Sequence, residues 1–141
     1  MTFIDSVGFL EFGDMGDNTF VRWLNAYADL TAVGVTAEEL WEHRNSLLHM
    51  TNLDSRRILA GKVTRLMSYV GTPPADFPRE NAEAKYYNLF ALIKEMGAAC
   101  SRWAESFNKD RSKFEQFLDR YDLIVSDNRL LKIEISPESA K

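Results

Sequence analysis

Cysteine occurs once in this chain, as Cys100, and histidine twice, as His43 and His49. One thiol excludes an internal disulfide, and one thiol with two imidazoles cannot complete a zinc site without carboxylates. No metal and no cofactor is therefore expected, and a reducing compartment is the simpler reading. No run approaches the roughly 18 apolar residues that span a bilayer. The opening Met1-Thr2-Phe3-Ile4-Asp5 lacks the basic segment of a secretion signal. A cytoplasmic protein without a membrane partner is expected. There is no internal repeat and no low-complexity segment, which excludes solenoids and fibrous classes. Positive charge is also in deficit: the formal net charge of −4 argues against a surface that grips nucleic acid everywhere.

What is present is an ordinary globular balance, with 45% hydrophobic and 27% charged residues among 141. That length suits one core, so a single domain over residues 1–141 is expected. The charge is unevenly placed. Residues 1–42 hold eight carboxylates against Arg22 alone, a balance of −7. Residues 43–65 reverse it, setting Arg44, Arg56, Arg57, Lys62 and Arg65 against Asp54 for a balance of +4.

Apolar spacing predicts mostly helix. Phe3, Ile4, Val7 and Leu10 share a helical face that ends at the Gly13 to Asp17 breaker run. Asn18 or Thr19 caps a second helix in which Phe20, Trp23, Leu24, Tyr27 and Leu30 recur every three or four residues, with Gly34 closing it. Thr36-Ala37-Glu38-Glu39 reads as a capping box, so a third helix starts near Ala37 and runs to about His49 or Met50. A short turn or helix over residues 55–59 and an alternating strand over residues 62–70 follow, before the Gly71-Thr72-Pro73-Pro74 linker. From Arg79 to about Tyr121 the helical period returns as one long or two collinear helices with a break near residues 108–110. Residues 123–125 and 130–135 are predicted to form a hairpin around Ser126-Asp127-Asn128-Arg129. The expected class is mainly α with a small β-hairpin or sheet.

The third helix carries Arg44, Asn45, the spacer Ser46-Leu47-Leu48, and His49. An arginine, a polar residue directly after it, a short spacer and a histidine, preceded by two helices and followed by a long one, resemble the HEPN superfamily of helical bundles. Residues 2–50 and the long helix carry the likeness, while the strands depart from it. The resemblance implies a HEPN-like bundle, a homodimer, and metal-independent RNA cleavage by attack of the 2′-hydroxyl on the neighbouring phosphate. It also suggests a toxin or effector of a bacterial defence or toxin–antitoxin pair, with an antitoxin protein as partner.

The residue types suit that chemistry. A histidine exchanges protons near neutral pH, so His49 is the expected general acid or base, and a helix C-terminus would favour its imidazolium. Arginine presents a permanently charged fork to phosphate oxygens, the role expected of Arg44, with Asn45 orienting one of these groups or the RNA. Five residues on an ideal α-helix leave Arg44 and His49 about 140° apart, so a distorted turn or a twofold partner must bring them together.

Arg56, Arg57, Lys62 and Arg65 are candidates for tracking an RNA backbone, or else a solvated face or partners of the acidic N-terminal helices. His43 reads as a solvent-facing or capping histidine. Trp23, Tyr27, Trp103 and Phe107 fit a core or dimer interface better than a base-stacking platform, and Cys100 reads as packing. The rival function is a non-catalytic helical module that binds protein, nucleotide or RNA and uses Arg44 and His49 structurally.

Overall fold

Helix α1 (Thr2–Phe12) and helix α2 (Thr19–Tyr27) lie close because Gly8 has no side chain. A Cβ there would stand 2.7 Å from the Thr19 carbonyl oxygen, closer than real contacts allow. The structure is a computed structural model and describes residues 2–14, 16–50, 55–73, 76–77 and 84–125, residues 49 and 50 by backbone alone. The described residues are mainly α-helical with one small sheet.

The local start signals hold. Asn18 caps α2 through Val21 N–H, and Thr36 with Glu39 forms the reciprocal capping box of α3 (Ala37–Asn45). Helix α2 stops at Tyr27, short of Gly34; a 3₁₀ turn over Leu30–Ala32 with its own Asp29 cap follows. Gly34, at φ 78°, takes the left-handed conformation that ends this turn. Beyond α3 the backbone widens into a π turn over Ser46–Met50. Ser55 caps the one-turn helix α4 (Arg56–Leu59).

Strand β1 (Arg65–Tyr69) falls within the predicted strand, but its partner is β2 (Ala84–Asn88) and the pair is parallel. Residues 84–88 were expected to be helical, since Tyr86, Phe90 and Ile93 keep a helical period. The sheet wins there because Ala84 and Tyr87 bury into the core while the backbone pairs in register, Arg65 with Ala84 through Tyr69 with Asn88. A parallel pair requires a crossover between Tyr69 and Ala84.

Asn88 then caps α5 (Leu89–Lys109), and the break at Asp110 leads into α6 (Ser112–Val125). These two helices are not collinear. Phe117 lies 5.5 Å from Phe107 and 6.0 Å from Trp103, ring centre to ring centre, whereas 14 residues of straight helix would span about 21 Å. The chain reverses, and Arg120 donates to the carbonyls of Leu10 and Glu11 at 2.9 and 2.6 Å, capping the C-terminal end of α1. Residues 123–125, expected in a hairpin, are the last turn of α6; residues 130–135 lie outside the described residues.

Helix α2 is central, against α1, α3 and α5, while the sheet packs on α3 and α5. The core gathers Phe20, Trp23, Leu24, Leu40, Leu66, Tyr87 and Ala99, with Trp103 and Cys100 packed beside it. Burying each such large side chain contributes about 1.5–3 kcal/mol. Among the described residues no helix is long and apolar enough to cross a membrane.

Candidate functional site around Arg44

Arg44 lies in the last turn of α3, and its guanidinium is held on three sides. Its Nη2 donates to Asp5 Oδ2 at 2.7 Å and its Nη1 to Asn45 Oδ1 at 2.9 Å. Its plane lies 5.1 Å from the Trp41 ring centre, within cation–π range. The side chain is 16% exposed, and its buried Nε has no hydrogen-bond partner among the described residues. Asn45 accepts from the fork, while Asp5 is a partner that no local pattern announced, 39 positions earlier on α1.

The π turn has a local cause. Ser46 is fully buried, and its hydroxyl donates back to the Glu42 carbonyl at 2.9 Å while its N–H reaches both Glu42 and His43 carbonyls. Back-bonding of this kind competes with the helical ladder and bends helices. A π turn closes over five residues instead of four, so position 49 returns toward the face that carries position 44 more nearly than in an α-helix. The side chain of His49 lies outside the described residues. Leu47 and Leu48 of the spacer are exposed.

His43 was expected toward solvent or in a cap and is instead buried in the α3–β2 interface, at 5% exposure. Its Nε2 shares a hydrogen bond with the Tyr87 hydroxyl at 3.3 Å, and the two rings meet edge to face. Burial lowers its pKa below the free imidazole value and raises that of Tyr87, whose hydroxyl also bonds Ser68. A neutral imidazole between α3 and β2 satisfies that interface. The cause is tertiary: Tyr87 arrives from a strand that helical spacing had concealed.

The basic segment divides. Arg57 donates to the buried carboxylate of Glu42 at 3.0 Å, so it and Arg44 both pair with acids of residues 1–42. Arg56 and Lys62 are exposed, and Arg65 is half-buried on β1. A cleft of about 380 Å³ opens beside Arg44, lined by Asp5, Asp17, Asn18, Thr19, Phe20 and Trp41. Its two carboxylates oppose a phosphate entering from that side. Among the described residues no group of three or more His, Cys, Asp or Glu is placed to hold a metal.

No family model, no curated protein and no solved structure matches this chain.

Proposed function

We propose that this chain is a metal-independent endoribonuclease of HEPN type that works as a homodimer, as the effector of a bacterial defence or toxin–antitoxin pair. Arg44 would hold the scissile phosphate and His49 would exchange the proton. The ribose 2′-oxygen bonds to phosphorus as the 5′-oxygen leaves; the first loses a proton and the second gains one, leaving a 2′,3′-cyclic phosphate. Asn45 fixes the fork. Exposed Arg56 and Lys62 would follow the RNA backbone, with Arg65 beside them and Arg57 shared with Glu42.

The observation that carries this reading is the π turn at Ser46–Met50. It lies on the spacer between the two proposed catalytic positions and reduces the angular offset that an α-helix would impose. Such turns are frequent at functional sites. A second reading, a non-catalytic module in which Arg44 is structural, is favoured by the Asp5 ion pair, which already engages half of the fork.

The test is cleavage of a mixed RNA pool by the purified chain in the presence of a chelator. The expected result is cyclic phosphate ends, with His49→Ala slower by about 10²–10⁴ and unchanged in circular dichroism and sedimentation. Equal cleavage by the folded variant would remove the enzyme reading in favour of the module.

A further inference from the structure

Helix α6 turns one side to the body of the protein through Phe117, Lys113 and Arg120 and, among the described residues, leaves an apolar side bare. Phe114, Leu118, Tyr121 and Val125 are 51%, 45%, 43% and 59% exposed. Their spacing alternates four, three and four, the repeat of a helix that pairs with another helix. At about 100° per residue they occupy an arc of about 60°. Glu115, Asp119 and Asp122 fill the next arc of similar width, and all three are exposed. None of the three forms an ion pair among the described residues.

The structure assigns this face as the docking site of a basic amphipathic helix from a protein partner. An exposed apolar stripe of this length, with Leu123 and Ile124 exposed outside it, marks an interaction surface, and the charge beside it selects the occupant. A continuous acidic edge repels RNA and anionic lipid headgroups. It also disfavours a second copy: in an antiparallel pair of α6 helices about a twofold axis, each acidic edge meets its own counterpart. A partner helix with Leu-type residues at the same alternating spacing and Lys or Arg along one flank covers the stripe and neutralises the edge. This site is separate from the Arg44 cluster and does not depend on RNA cleavage.

Two synthetic helical peptides with one shared leucine stripe, flanked by lysine in one and glutamate in the other, test this by fluorescence anisotropy against the full chain. The lysine peptide binds about tenfold tighter at low salt, the sum of three exposed ion pairs, and the advantage fades at high salt. Leu118→Asp abolishes binding of both. The triple variant Glu115→Gln, Asp119→Asn, Asp122→Asn, isosteric and exposed, keeps the fold and brings the two peptides to equal affinity. Equal binding of the two peptides to the natural chain, or no binding of the lysine peptide, overturns the assignment. So does a change of sedimentation on Leu118→Asp alone, which would make the occupant a second copy.

Discussion

Helix α1 meets the rest of the protein through a carboxylate near each end, and the two ends are built differently. At the C-terminal end, Glu11 accepts from Tyr27 at 2.7 Å, from Lys113 at 2.6 Å and from Trp103 at 2.9 Å. Lys113 in turn donates to Tyr27 and Ser106. Both oxygens are engaged, the Glu11 side chain is 8% exposed, and four helices are tied together. At the other end, Asp5 is 31% exposed and shares Arg44 with Asn45 and Trp41, with a buried guanidinium nitrogen left without a partner among the described residues. A saturated network has nothing left to bind; it fixes geometry. A half-saturated one keeps a donor without a partner among the described residues, which is why the candidate site is at Asp5 and Arg44 and not at Glu11.

The largest expected effect breaks the closed end. Lys113→Ala strands a nearly buried carboxylate and should lower unfolding free energy by about 3 kcal/mol, read from urea denaturation; a loss below about 1 kcal/mol would make this an ordinary surface pair. The same network predicts a pH response. Burial pushes the Glu11 carboxyl up, but the hydrogen bonds from Lys113, Tyr27 and Trp103 outweigh it and hold its pKa below the ordinary value. Its contribution is then present above the unfolded pKa and is lost as pH falls through the folded one. Glu11→Gln should flatten the acid limb of the stability curve, and an unchanged limb would assign acid sensitivity elsewhere.

Tyr87→Phe comes next, leaving the buried His43 nitrogen unpaired at a cost of about 1–2 kcal/mol. For His43, whose free imidazole titrates near 6.5 and whose folded pKa is lower through burial, the unfolded chain binds more protons between those two values. Stability therefore falls as pH drops below 6.5 toward the folded pKa, and His43→Gln should remove that slope in thermal melts taken across the window.

The smallest effect sharpens the open end. Asp5→Asn keeps an acceptor for Arg44 but withdraws the competing charge, costing under about 1 kcal/mol of stability. If the proposed ribonuclease reading holds, the KM for RNA falls about threefold, the size of one exposed ion pair. An unchanged KM with intact cleavage would mean that phosphate does not compete for the fork.

The features readable in advance share a property. Asn18 and Thr36 with Glu39 act on amides three residues away, so their chemistry is complete within one turn. Trp23 and Leu24, fully buried, were legible from spacing alone. The break at Asp110 was legible too, but the reversal after it was not, because its direction is set by Phe117 packing on Trp103 and by Arg120 reaching α1. Residues 84–88 misled because their side chains satisfy a helical period as well as a strand, and only pairing with β1 separates the two. At the candidate site, the Arg44 and Asn45 partnership was visible as neighbours, whereas Asp5 and the burial of His43 depended on contacts 39 and 44 positions apart.

By itself the chain's order of residues determined where α2 and α3 begin, which of their faces are apolar, and that an arginine and a histidine are separated by a four-residue segment headed by asparagine. Tertiary structure alone decided which charges meet and which imidazole loses water, and it turned a helical-looking tyrosine segment into a strand. The physical reason is range. Caps and periodicity are energies of adjacent residues, while ion pairing, desolvation and sheet register depend on groups that the chain brings together only after it has folded.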